Sequence, residues 1–149
     1  MNKLEQRIMK EIEMAVSAYG HRVFRINVGK GFLYRDQPTH ATLDFENERS
    51  SWFESGAKGY SDLSGVCYPS GKALFIECKT PKGKPSKEQC IFLLDMLARG
   101  ANAGIAHNVE EALLICDMTE DYRQQMGEYI HGWLEKIRSR GKRSLARKG

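Results

Sequence analysis

Residues 62–79 constrain the fold most. Two short apolar segments, "DLSGVCY" and "KALFIECK", flank "PSGK", which has the composition of a hairpin turn. The second segment is apolar from Ala73 to Ile76 and then carries Glu77 and Lys79, where a buried strand is most closed to water. A carboxylate and an ammonium there are costly unless something pairs with them. With Ser70 and Gly71 at the tip, Asp62 faces Lys79 and Ser64 faces Glu77, and directly opposed residues share one face of a sheet. One face then carries Leu63, Gly65, Cys67, Leu74, Ile76 and Cys78. The other carries Val66, Tyr68, Ala73 and Phe75 near the tip, and Asp62, Ser64, Glu77 and Lys79 at the open end. A one-residue slip would put Asp62 on the opposite face.

In this register Asp62 and Glu77 are diagonal neighbours, with Cβ atoms roughly 7 Å apart. From that span two carboxylates can hold one hard cation, with oxygen–metal distances of about 2.1 Å for Mg²⁺. Lys79 supplies positive charge where a phosphorane-like transition state gathers negative charge. The plainer alternative is an exposed cross-strand ion pair between Asp62 and Lys79, with Glu77 an edge residue in water.

Other elements follow from periodicity. Residues 2–19 read as an amphipathic helix, with Leu4, Ile8, Met9, Ile12, Ala15, Val16 and Tyr19 at spacings of three and four. "RVFRI" (22–26) alternates as a strand does, and "FLYR" (32–35) is a candidate second strand. Residues 36–58 are polar and irregular, with Trp52 and Phe53 as isolated anchors, and a loop of that length is often functional. "SKEQCIFLLDMLARG" is a helix ending at Gly100, and "AGIAH" is a short strand. "VEEALLIC" reads either as a helix or as a helix–strand mixture. The last helix covers 120–138, with Tyr122, Met126, Tyr129, Ile130, Trp133, Leu134 and Ile137 on one stripe.

Two helical residues bear on the acidic pair. Glu5 falls inside the apolar stripe of the first helix, so it needs a partner on the core side, unless it stays wet in the first turn and serves the helix dipole. Gln89 closes a capping box with Ser86, and the same position brings its amide near Glu77. Between strand and helix, "TPKGKPSK" offers Lys82, Lys84 and Lys87 to phosphates, or is simply a solvated connection.

The chain has 149 residues, 41% hydrophobic and 28% charged, which fits one soluble globular domain. No apolar run approaches the roughly 18 residues of a membrane span, and the N-terminus lacks a signal-peptide core. Cys67, Cys78, Cys90 and Cys116 form no CxxC pair, which suggests reduced thiols in a cytoplasmic protein. The four histidines show no ligand spacing and read as surface or structural residues. The net charge of +4 is set by residues 138–149, which hold six Lys or Arg and no acid; without them 17 basic residues face 19 acidic ones. Domain 1–138 thus precedes a basic flexible tail, 139–149, in which Arg140, Lys142 and Arg143, with Arg138 beside them, suit a polyanion or merely aid solubility.

A helix with a Glu, then "GYSDLSGV", then "FIECK", then a helix opening with "SKEQ", resembles the PD-(D/E)XK nuclease superfamily. More narrowly it is similar to the small stand-alone, phage-type members of the VRR-NUC (virus-type replication-repair nuclease) family, over residues 4–116. The resemblance implies an α/β, restriction-endonuclease-like core in which a central mixed sheet is flanked by helices. It implies that Asp62, Glu77 and the Cys78 carbonyl hold Mg²⁺ or Mn²⁺, with Glu5 contributing through water. Lys79 is then the signature lysine beside the attacking water, and Gln89 the helix glutamine. "Gly-x-Pro-Asp" commonly leads into the first ligand in the family; here Gly59 and Asp62 are kept and Ser61 replaces the proline, making the approach less rigid. The implied activity is metal-dependent hydrolysis of branched DNA, above all four-way (Holliday) junctions, by a homodimer in the bacterial host's cytoplasm, with no nucleotide cofactor and no membrane. The helix bearing Trp133 or the 36–58 loop would form the two-fold interface. The alternatives are a flap, nicking or restriction-like nuclease, and a nucleic-acid-binding module without catalysis.

Overall fold

The structure, a computed structural model, describes residues 2–25, 30–34, 50–54 and 58–148. The elements are α1 (Lys3–Ala18), β1 (Arg22–Arg25), β2 (Lys30–Tyr34), β3 (Ser50–Glu54), β4 (Leu63–Val66), β5 (Ala73–Cys78), α2 (Lys87–Ala98), β6 (Asn102–Ala106), α3 (Val109–Cys116) and α4 (Glu120–Arg147). The fold class is α/β. A four-stranded sheet in the order β1-β4-β5-β6 is antiparallel except for the β5–β6 pair, which is parallel because α2 forms the crossover between those strands. Among the described residues no helix is long and apolar enough to cross a membrane.

Each helix begins where a short polar side chain satisfies a free backbone N–H. Asn2, Ser86, Asn108 and Thr119 are the N-caps of α1, α2, α3 and α4. α1 packs on α3, β1 and β5, and buries Ile8, Met9, Ile12 and Val16. On that side of the sheet Leu63, Leu74, Ile76 and Cys78 are fully buried. α2 packs on α4, β5 and β6, and its Phe92 meets Phe75 of β5, so it covers the face that also carries Glu77. The "VEEALLIC" segment is entirely helical.

Several expectations need correction. The ends of the α1 stripe, Leu4 and Tyr19, are exposed, because the helix meets the core over its middle turns only. Within the span expected as one domain, 1–138, and beyond it, Met1–Ile26 and Lys58–Gly149 form one compact unit and Asn27–Ala57 a second. Within the second unit, Ser50–Glu54 is a strand rather than irregular chain, antiparallel to β2 with Trp52 opposite Phe32. Aromatic residues on both sides give that ribbon its β-propensity. The rest of the 36–58 segment expected as an interface, and His40, lie outside the described residues.

The 139–149 tail is also different. α4 continues through Arg147, nine residues past the expected end at 138. Nothing in "SRGKRSLAR" is a proline, and a helix already nucleated by its packed half propagates easily through Arg, Lys, Leu and Ala.

The β4–β5 hairpin is closed two residues away from the expected register. Leu63 pairs with Ile76 and Val66 with Ala73, so Asp62 comes opposite Glu77 and not opposite Lys79. The Cys67 N–H donates to the Lys72 carbonyl and the Gly71 N–H to the Cys67 carbonyl, which leaves Tyr68–Gly71 as a four-residue loop. The expected register placed Pro69 in the ladder, where it has no N–H to give. A two-residue slip preserves which face each side chain takes, so the segregation into an apolar and a charged-ended face survives it.

Gly59 sets the entry to β4. Its φ is +77°, and a Cβ there would collide with the backbone carbonyl of Glu88 in α2. Gly59→Ala should lower unfolding free energy by about 2–4 kcal/mol, combining left-handed strain with overpacking. Gly71→Ala has similar φ but open space around it, and should cost only about 1–2 kcal/mol. Urea denaturation of both variants measures the difference.

Candidate active site at the end of strand β5

Strand β5 delivers Glu77 and Lys79 to one face, since residues two apart share a face. The Glu77 side chain is almost fully buried, at 1% relative exposure. Its Oε1 accepts from Gln89 Nε2 at 2.6 Å and lies 3.2 Å from Lys79 Nζ. Its Oε2 is buried without a hydrogen-bond partner among the described residues. Asp62 stands across the hairpin, and its Oδ2 accepts from the Cys78 N–H at 2.9 Å. The N–H and C=O of a strand residue leave from the same edge, so the Cys78 carbonyl faces the Asp62 side as well.

Gln89 does both things its position allowed. Its Oε1 accepts from the Ser86 N–H at 2.9 Å and the Ser86 hydroxyl accepts from the Gln89 N–H, completing the capping box. Its Nε2 is left free for Glu77, so the helix cap also orients the buried carboxylate.

Glu5 reaches the site from the first turn of α1, but not as a third acid around one point. Its Oε1 lies 3.9 Å from Lys79 Nζ, which places the ammonium between the carboxylates of Glu5 and Glu77. Among the described residues no three of the His, Cys, Asp and Glu side chains converge in a manner that holds a metal. The expected close grouping of Glu5 with Asp62 and Glu77 is therefore replaced by a chain, Glu5–Lys79–Glu77, with Asp62 beside its last member. The electrostatic reason is plain: one ammonium offsets two carboxylates where burial weakens solvent screening.

Burial pushes the Glu77 carboxyl up to about 8, and the neighbouring Asp62 charge adds to the rise while Lys79 opposes it. A carboxyl in this state takes up a proton at neutral pH or meets a cation. The available donors are the Asp62 carboxylate, the unpartnered Glu77 oxygen and the Cys78 carbonyl. All are hard oxygens, the kind that suits Mg²⁺ or Mn²⁺. The orphaned Oε2 is the observation that makes this donor set fit.

Some supporting residues escaped the sequence reading. Tyr60, Phe75 and Phe92 form an aromatic cluster, with ring centroids 4.9 to 6.0 Å apart, on the Glu77 face. The Tyr60 hydroxyl donates to Ser64 Oγ at 3.1 Å. Ser61 was expected to loosen the approach to Asp62. It is instead buried, and its hydroxyl donates to the Leu63 carbonyl at 3.0 Å, tying the turn down. The signal available in the sequence was Phe75 two positions before Glu77 and Tyr60 beside Gly59, but a single chain does not reveal which aromatics meet.

The remaining expected residues are placed as follows. Lys82, Lys84 and Lys87 are exposed on the segment leading from Lys79 into α2, where Gly83 N–H closes a turn on the Thr80 carbonyl. Arg138, Arg140, Lys142 and Arg143 are exposed along α4 and belong to a different region of the chain. Cys67, Cys78, Cys90 and Cys116 are free and buried. His21 is buried and accepts from the Tyr68 N–H through Nδ1, a structural role. His107 is held through both its backbone N–H and Nδ1 by Glu111 Oε2.

Comparison of the chain with family models, with curated proteins and with solved structures finds no match.

The raised carboxyl makes stability depend on pH. Because the folded state holds the Glu77 proton more tightly than the unfolded chain does, its contribution is full below the ordinary value of 4.5 and is lost as pH rises through about 8. Metal-free protein should therefore lose stability across that interval, and Glu77→Gln should flatten the decline. Urea unfolding in EDTA at a series of pH values measures both slopes.

Proposed function

We propose that the chain is a divalent-metal-dependent DNA endonuclease with a PD-(D/E)XK core of the VRR-NUC kind, acting on branched DNA such as the four-way junction. The observation that carries the reading is the Glu77 carboxylate: buried, held on one oxygen by Gln89 and Lys79, and unpartnered on the other. A buried carboxylate with one oxygen held and the other open is what a ligand to a cation would present.

Asp62, Glu77 and the Cys78 carbonyl would hold Mg²⁺ or Mn²⁺, which when bound polarises a phosphate oxygen and lowers the pKa of water. The protein's own residues supply the rest. Gln89 fixes the Glu77 carboxylate so that its free oxygen stays directed away from the helix cap. The Lys79 ammonium stands between two carboxylates, and donates a hydrogen bond to a phosphate oxygen as negative charge builds there. Glu5, 3.9 Å away, helps to hold that ammonium in place. The aromatic cluster of Tyr60, Phe75 and Phe92 limits water behind the site, which strengthens each of these interactions. Lys82, Lys84 and Lys87 flank the approach and contact the backbone of the DNA. A homodimer would present two such sites to two symmetric strands.

A panel of four-way junction, flap, splayed-arm and plain duplex DNA, incubated with Mg²⁺, Mn²⁺ or EDTA, tests the reading. Cleavage should require the divalent ion and favour the junction. Glu77→Gln and Lys79→Ala should each lower the rate about 100-fold or more while junction binding in EDTA is kept. Cleavage undiminished in both variants ends the assignment of this site. No ion-dependent product on any substrate leaves the second reading, a nucleic-acid-binding module, which the exposed cations of α4 favour.

A further inference from the structure

The last three turns of α4 stand apart from the candidate site. Every residue from Arg138 to Lys148 is exposed, and six of these eleven are Lys or Arg. Ion pairs among the described residues include none of the six. Six cations on a short helix repel one another, so their natural complement is an anionic surface.

Helical geometry sorts five of these charges, with Lys136 one turn earlier, into two sets. At about 100° per residue, Lys136, Arg140, Arg143 and Arg147 fall within roughly 60° of one another, at spacings of four, three and four. They make one ridge about 16 Å long. Its inner end is anchored, because Lys136 Nζ lies 4.9 Å from the centroid of the Trp133 ring. Beside its outer half runs a shallow groove of about 420 Å³ lined by Arg140, Arg143, Ser144, Arg147 and Lys148. Arg138 and Lys142 point to the roughly opposite side of the helix, together with Leu145.

We propose that this ridge of α4 is a rigid phosphate-tracking surface for a nucleic-acid duplex, in which helical alignment and not total charge determines affinity. Duplex phosphates recur every ~3.4 Å of axis on each strand, so a line of cations of this length meets several of them along one backbone. An anionic membrane is the poorer fit. An interfacial helix needs an apolar face to bury, and this segment offers only Leu145 and the small Ala146. The inference draws on the nucleic-acid reading above for the kind of polyanion, but requires no cleavage.

The test is performed on the full chain carrying Glu77→Gln, in EDTA, so that loss of catalysis cannot be mistaken for loss of binding. Affinity for a labelled duplex is measured across a salt series. Arg140→Gln, Arg143→Gln and Arg147→Gln combined should reduce the slope of log affinity against log salt by about 2–3, near 0.9 for each phosphate left without its cation. Arg138→Gln with Lys142→Gln should change it by less than about 1. Gly141→Pro keeps all six charges but ends the helix early, and should weaken binding as much as the triple substitution does. Circular dichroism checks that it loses only the terminal turns. Equal loss per charge from the two sets, parental affinity in Gly141→Pro, or tighter retention on phosphatidylserine vesicles than on duplex would each overturn the proposal.

Discussion

The site depends on one unfavourable act, the burial of the Glu77 carboxylate at the end of β5. Without partners that burial would cost several kcal/mol or protonate the group outright. The surrounding residues divide the compensation unevenly. Gln89 and Lys79 both serve Oε1, and nothing among the described residues serves Oε2. The Asp62 side chain carries the wrong charge and accepts the adjacent Cys78 N–H, so only the Asp62 backbone helps to stabilise the Glu77 charge. A half-satisfied buried acid beside a second acid is a poor way to stabilise a hairpin and a reasonable way to prepare a cation site. That imbalance, rather than the spacing of the charged residues, supports the chemical reading.

How much of this was legible in the chain differs residue by residue. The two faces of the hairpin were, because side-chain alternation has a period of two and survives a two-residue slip. The slip itself was not, since nothing local says that Tyr68 and Pro69 belong to the loop. Gln89 was legible twice over, and the two readings proved compatible because an amide has an oxygen for the cap and a nitrogen for the carboxylate. Glu5 was placed near the site by its position in the apolar stripe, but its partner was misjudged. A stripe fixes direction, whereas the choice between a cation and Lys79 depends on distances that only the packed helix supplies. The limits of α4 were missed for a related reason: composition marks Arg138–Lys148 as basic but does not distinguish a solvated tail from a helix propagated out of a packed one.

The two basic regions differ in the work they can do. The lysines between β5 and α2 sit on the short connection that begins at Lys79, so their contacts are tied to the geometry of the site. The α4 cations belong to a helix whose inner half, at Met126, Ile130 and Leu134, is set in the core. Their orientation is inherited from that packing through a continuous hydrogen-bonded backbone. On the proposed reading, one set of charges beside the candidate site and another along a rigid rod would separate holding a polyanion from acting on it.

The contact at Gly59 joins the segment carrying Asp62 to the helix carrying Gln89, main chain against main chain, with no side chain between. A contact made from side chains can be retuned one methylene at a time; this one has no such adjustable layer. Any side chain added at position 59 has to displace one whole segment from the other. The spacing between the Asp62 segment and the cap of α2 is thus set by the dimensions of two backbones and not by the sizes of neighbouring side chains.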